Sequence, residues 1–193
     1  MLTLDDIADA RAYERDREAF RASIIELKKK RRVHVGPVAT LLFENRDTIR
    51  FQVQEMVRAE RILTDEGVQH ELDTYNPLIP AAGQLSATLF LELTDEWQLR
   101  EWLPRLVGIE RHVVLRLSGG GEVRCTVEEA HEALLTREEV TASVHYVRFE
   151  LTPSEVDAFA AGPVRLAFDH FQYEHEAALS DEAHAELLRD LRG

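Results

Sequence analysis

The chain has 193 residues, 45% of them hydrophobic and 31% charged, enough for one domain with a sizeable core. Its formal net charge of -13 argues against a general binder of nucleic acid or acidic membranes, because phosphate backbones demand excess Lys and Arg. The single cysteine, Cys125, excludes an internal disulfide, a thiolate zinc cage and a CxxC redox pair.

The opening stretch is charged from Asp5 onward and has no signal-peptide hydrophobic region. No apolar run is long enough to span a bilayer, which predicts a cytoplasmic protein without membrane insertion. Residues 3–32 read as a first helix with a break near Tyr13. Thr3 caps it, and a basic run from Lys28 to Arg32 sits at its negative end. That run lacks interleaved aromatic residues and gives no nucleic-acid signal against an acidic chain. Residues 33–44 read as a strand interrupted at Gly36-Pro37.

Residues 47–64, DTIRFQVQEMVRAERILT, hold the longest clean helical pattern, with Asp47 as N-cap. Ile49, Val53, Met56, Glu60 and Leu63 share one face, and Phe51, Glu55, Arg58 and Ile62 form the adjoining stripe. Two accounts fit the charges on it. Glu55 and Arg58 are three residues apart, the spacing of a surface ion pair, and Glu60 can reach water from the rim. Alternatively, Glu55 and Glu60 are partly buried carboxylates, with Arg58 holding one ionised, and suit a metal or a polar ligand. The apolar neighbours of Glu60 predict that it is buried and bonded to an Arg or His.

A second helix follows over residues 65–75. The YNPLIP stretch is then predicted to be ordered and non-helical, with Tyr75 and Asn76 meeting polar groups of the central helix. Residues 84–93 alternate as a strand. Residues 95–107 read as a helix carrying Trp97 and Trp102, which more often fill a core than stack a ligand. Strands over 112–117 and 122–127 flank Ser118-Gly119-Gly120-Gly121. These glycines are hairpin chemistry, since no strand–loop–helix with the required Lys and Ser or Thr follows. Cys125 reads as a buried, inert thiol. Residues 128–139 read as an acidic helix, 141–151 as a strand and 153–161 as a helix. Strands over 164–170 and 173–179 follow, with a closing helix over 180–191 capped by Ser180. The expected fold is α+β, a single domain over residues 1–193, with six or seven mostly antiparallel strands packed with helices.

Two of the eight histidines lie at an end of an apolar strand face, His145 with Val147 and Phe149, and His170 with Leu166 and Phe168. Each is either a core-edge histidine satisfied by a hydrogen bond, or a ligand or proton carrier. A strand–helix–strand connection normally gives parallel neighbours in one sheet. That geometry separates the two imidazoles and sets each beside a different carboxylate.

The stretches TIRFQVQEMVRAERI, ELDTYNPLIP, LVGIERHV, SVHYVRFEL and DHFQY, in this order, resemble a bacterial family catalogued only as a domain of unknown function. The resemblance runs over essentially the whole chain. It implies a genetic neighbourhood with a rubrerythrin-like protein and an iron–sulfur oxidoreductase resembling a heterodisulfide reductase subunit, hence a role near peroxide or iron-redox metabolism. Members often carry a Lys-Thr pair before the VHF-like strand, where this chain has Glu138-Glu139-Val140-Thr141. The family carries no established catalytic residue to transfer.

Three functions compete. The first is a non-enzymatic accessory protein of a redox or metal-homeostasis system, binding a redox partner protein or a metal. The second is a metal-dependent enzyme with a Glu/His site suited to iron, manganese or zinc, drawn from Glu55, Arg58, Glu60, His145 and His170 with Tyr75 and Asn76 in support. The third is a binder of a small organic ligand through Trp97, Trp102 and Tyr75.

Overall fold

The computed structural model describes residues 1–127 and 140–193. The acidic helix expected over 128–139 lies outside the described residues. The fold is α+β, as the alternation of helical and strand patterns predicts. The chain divides into two compact units, residues 1–30 with 44–80, and residues 31–43 with 81–193.

The first unit is helical. A 3-10 turn, Leu4–Asp6, precedes α1 (Ala10–Lys30). The break falls at Asp9 rather than Tyr13, because the Asp9 carboxylate accepts from the backbone N–H of Arg11 and Ala12 and caps the helix. Next come α2 (Arg46–Ala59) and α3 (Asp65–Tyr75). The N-cap of α2 is Asn45, not Asp47. Its side chain accepts from the N–H groups of Asp47 and Thr48, and the Thr48 hydroxyl accepts from Asn45 N–H in return. Ile49, Val53 and Val57 of α2 are buried, with Tyr13 and Ile24 of α1 and Leu72 of α3. Phe20 and Phe51 meet edge to face, with ring centres 5.6 Å apart.

Two side-chain amides fasten the N-terminal segment of this unit. Asn76 accepts from Leu2 N–H at 2.7 Å and donates to Leu2 C=O at 3.0 Å. Gln54 does the same to Ala8, at 3.0 and 2.9 Å. Each amide imitates a peptide group and satisfies both polar groups of one residue. The YNPLIP stretch is therefore ordered, but Asn76–Leu78 forms a 3-10 turn and Asn76 meets Leu2 rather than the central helix.

The second unit contains two sheets. The strands are β1 (Arg32–Val35), β2 (Ala39–Glu44), β3 (Gln84–Leu91), β4 (Val113–Arg116), β5 (Glu122–Arg124), β6 (Thr126–Val127), β7 (Val144–Glu150), β8 (Arg165–His170) and β9 (Tyr173–Ala178). One sheet has the order β1-β2-β3-β7-β6 and the other β5-β4-β8-β9. The pairings β1–β2, β3–β7, β6–β7, β4–β5, β4–β8 and β8–β9 are antiparallel. Helices α4 (Glu96–Arg105), α5 (Pro153–Ala161) and α6 (Asp181–Arg192) belong to this unit. Leu85, Leu89, Val147 and Phe149 of the first sheet share one core with Val113, Leu115, Leu166 and Phe168 of the second.

Two buried polar groups organise this core. The Tyr173 hydroxyl donates to Val35 C=O at 2.7 Å and accepts from Val38 and Ala39 N–H, at 3.1 and 3.0 Å. It closes the β1–β2 turn at Gly36, whose φ of 70° and contact with the His175 ring leave no room for a Cβ. Arg31, from the basic run, is not a solvated charge: it is fully buried, donates to Phe43 C=O at 2.9 Å and pairs with Asp190.

Candidate functional site

In the second unit, three of the motifs, LVGIERHV, SVHYVRFEL and DHFQY, come together. The first makes a 3-10 turn, Ile109–Arg111, entered through Gly108 at φ 85°, a conformation a glycine adopts without a Cβ penalty. Backbone bonds from Ile109 N–H to Leu106 C=O and from Arg111 N–H to Gly108 C=O fix the turn. It sends Glu110 inward, where only 2% of the residue is exposed. The Cys125 thiol donates to the Glu110 carbonyl at 3.1 Å, just where the chain passes from β5 in one sheet to β6 in the other.

β7 brings His145, also 2% exposed, to the same place. Its Nε2 lies 2.9 Å from Ala142 C=O and 2.9 Å from the Thr141 hydroxyl. A carbonyl can only accept, so Nε2 carries the proton and Nδ1 is turned toward Glu110. The distance from Nδ1 to Glu110 Oε2 is 3.9 Å, too long for a hydrogen bond. That Oε2 atom is buried without a hydrogen-bond partner among the described residues.

His170, at the end of β8, is held at both ring nitrogens. Nε2–H donates to Val107 C=O at 3.2 Å, and Nδ1 accepts from Gln172 N–H at 3.3 Å. This is the neutral tautomer. Burial pushes the His170 pKa down, against a smaller upward pull from the Val107 carbonyl and from the charge of Glu110. Its ring meets His112 edge to face, with centres 5.1 Å apart.

An outer layer covers this cluster. His112 Nδ1 is 3.0 Å from Asp169 Oδ1, and Arg124 grips the same carboxylate with two nitrogens. The Arg124 guanidinium, with help from His112, holds the Asp169 carboxyl down at about 2. A groove of about 300 Å³, lined by Arg116, Asp169, Glu174, His175 and Glu176, runs along its outer side. The Cys125 thiol is pushed up by burial to about 11, so it stays protonated at neutral pH and is no nucleophile.

A family model described as a protein of unknown function, DUF3501, matches residues 1–191. The chain belongs to this family. A DUF3501-like relative of known structure is a novel protein of unknown function from Burkholderia pseudomallei. It is 39% identical over 98% of both chains, with a TM-score of 0.90. A search of curated proteins finds no match.

The sequence-predicted residues of this DUF3501 chain fall into separate groups. In the first unit, Glu55 is a structural anion. Arg17 donates to both its oxygens at 2.8 Å, Tyr13 donates at 2.7 Å, and Arg58 lies 3.4 Å away. These donors, Arg17 foremost, hold its carboxyl down at about 2. Arg58 also lies 3.7 Å from Glu14. Glu60 corrects the expectation of burial. The α-helix ends at Ala59, Glu60 is its exposed C-cap, and it forms no ion pair among the described residues. Glu60 N–H still bonds Met56 C=O at 2.9 Å, and the helical register ends at the next residue, Arg61, at φ 55°, so Glu60 lies on the last, solvent-facing turn. Tyr75 lies near Gln52 of α2, and burial raises its pKa above the ordinary phenol value.

In the second unit, His145 and His170 are not parallel neighbours. α5 carries the chain into the other sheet, and both imidazoles stand near Glu110. Trp97 is exposed, whereas Trp102 packs edge-on against Tyr173. Five residues apart on α4, the two tryptophans point in different directions and form no common stacking face. Among the described residues, no three His, Cys, Asp or Glu side chains are grouped to hold a metal ion. Glu110, His112, Arg124 and Asp169 escaped sequence reasoning. The available signal was Gly108, which marks a tight turn two residues before Glu110, itself followed by Arg111 and His112.

Proposed function

We propose that the protein is a non-enzymatic accessory protein of a redox or metal-homeostasis system, acting in the cytoplasm by binding a metal or a redox partner protein. The observation that carries this reading is the closure of the Glu110–His145–His170 cluster, whose three residues are at most 2% exposed. A catalyst needs its acid, base or nucleophile within reach of substrate. Here the histidines and Glu110 are sealed, Asp169 is held by Arg124, and the one thiol is protonated. Closed polar positions suit holding and sensing, whereas catalytic metal positions stay open to solvent or substrate. The genetic neighbourhood implied by the family resemblance, rubrerythrin-like and iron–sulfur proteins, points the same way.

The test is genetic. Deleting the coding sequence in its own organism is expected to shift the cell's iron, manganese or zinc content, or its peroxide tolerance, and the wild-type chain is expected to restore it. A deletion strain with all of these unchanged overturns the reading. So does turnover of any substrate by the purified protein at ordinary enzymatic rates, about 1–10³ per second.

A further inference from the structure

We infer that an acidic-rimmed apolar pocket in the first unit docks one apolar side chain from a basic segment of a partner protein. The inference deepens the partner-binding side of the accessory reading and rests on that reading only for the cellular role. The first argument is the pocket. It has a volume of about 190 Å³ between the N-terminal segment, the end of α2 and the start of α3, and its apolar lining includes Leu4, Ile7, Val57, Ile62, Leu63 and Val68. An apolar cavity of ~150 Å³ takes a benzene ring, so this one admits a leucine or phenylalanine side chain. Leu63 is 83% exposed and Leu4 36%, so the lip continues the apolar lining out to the solvent. Single exposed leucines are ordinary, but a contiguous apolar patch rimmed by polar groups marks a contact site.

The second argument is that the lip is held in shape. Arg61, at φ 55°, takes a left-handed conformation that costs a residue with a Cβ, and turns the chain directly after α2. Ile62 N–H bonds Val57 C=O at 3.0 Å, and the Thr64 hydroxyl accepts from Gly67 N–H, so the loop carrying Leu63 is fastened on both sides. A Cβ at Gly67 would come within 2.5 Å of Ile62 Cγ2, so this glycine leaves the space in which Ile62 forms the pocket wall. The third argument is charge. Asp9 and Asp65 line the pocket, with no Lys, Arg or His among its described lining residues. Asp9 spends one oxygen on the cap of α1, and Asp65 forms no hydrogen bond or ion pair among the described residues. Exposed Asp5 and Glu66 adjoin these stretches in sequence. Carboxylates around an apolar pocket select an anchor flanked by Lys or Arg, and the net charge of -13 steers such a segment inward. A second copy of this chain is the wrong occupant, because a two-fold contact sets the same aspartates against each other.

The test titrates the full chain, with NMR-labelled methyl groups, against three short peptides. One carries leucine flanked by arginines, one leucine flanked by glutamates, and one serine flanked by arginines. The first is expected to move the methyl signals of Ile7, Ile62, Leu63 and Val68, and to bind at least ~10-fold more tightly than either of the others. Leu63→Ser is expected to weaken it about 5-fold, and Asp65→Asn about 3-fold. Glu122→Gln, in the second unit, serves as the unchanged control. Should a variant not fold, the ranking of the three peptides on the wild-type chain decides. Equal binding of the glutamate-flanked peptide, or methyl shifts confined to other residues, overturns the proposal. So does self-association of the wild type that Leu63→Ser abolishes, since a second copy is then the occupant. A failed ranking leaves the metal side of the accessory reading standing, whereas a deletion strain without a phenotype sinks that reading and leaves the peptide ranking untouched.

Discussion

Glu55 and Glu110 are both inward-turned carboxylates, each within its own unit, and they are solvated by the protein in opposite ways. Glu55 receives three short hydrogen bonds, from Tyr13 and twice from Arg17, and keeps a quarter of its side chain in water. Glu110 is sealed, faces one imidazole at 3.9 Å, and has an oxygen with no donor on it among the described residues. The first carboxylate is explained by the fold it stabilises. The second is not, and a polar group that the fold leaves in deficit is where a ligand has something to add.

The sharpest break in this comparison is Glu55→Ala. It strands Arg17 and the Tyr13 hydroxyl without their acceptor and takes one counter-charge from Arg58, and is expected to destabilise the chain by about 3 kcal/mol in urea unfolding at pH 7. The same bonds set a pH signature. The folded pKa of Glu55, about 2, lies below its unfolded value of 4.5. Its stabilisation is therefore complete above 4.5 and is lost as pH falls toward 2. With partial exposure discounted, that loss is about 2 kcal/mol, and Glu55→Ala should flatten this part of the stability–pH curve. An unchanged curve for the variant would move Glu55 out of the structural role.

Glu110→Gln has the opposite expected sign. In metal-free buffer, replacing an under-solvated buried charge by a neutral isostere should stabilise the chain by about 1–2 kcal/mol. A Glu110→Gln protein less stable than wild type in metal-free buffer would show that the carboxylate is already paid for.

The contrast between the two carboxylates also separates what sequence shows from what it hides. Residues 65–75 and 153–161 were bounded correctly because capping is local chemistry: Thr64 accepts from Gly67 N–H, and Thr152 forms a box with Glu155 around Pro153. Strand alternation likewise placed His145 and His170 on apolar faces, and both are buried. Glu55 was legible because helical spacing alone put it beside Arg58. Glu110 was not, since it sits in a 3-10 turn with no period. Its surroundings come from Cys125 and His145, 15 and 35 residues away in sequence. The sheet placement of the two histidines departs from the sequence expectation for a similar reason. The rule for parallel strands assumes one sheet, and nothing within residues 151–164 states that α5 crosses to another. Arg31 hid inside a run of like charges, where only tertiary contacts distinguish the buried member.

The finest probe of the comparison is Glu71, an intermediate case on α3. It is 9% exposed and has no hydrogen bond or ion pair among the described residues. Burial first, and the charge of Glu60 second, raise its pKa above the ordinary carboxylate value. The folded state thus holds this proton more tightly than the unfolded chain. Its contribution to stability is fully present below 4.5 and is lost as pH rises through the folded pKa, so the ionised group is a penalty at pH 7. Glu71→Gln removes that penalty and should stabilise the chain by about 0.5–1 kcal/mol at pH 7, shrinking toward zero near pH 4. Urea unfolding of both proteins at the two pH values measures the difference. If Glu71→Gln instead destabilises at pH 7, the carboxylate is satisfied after all, and Glu71 belongs with Glu55 rather than with Glu110.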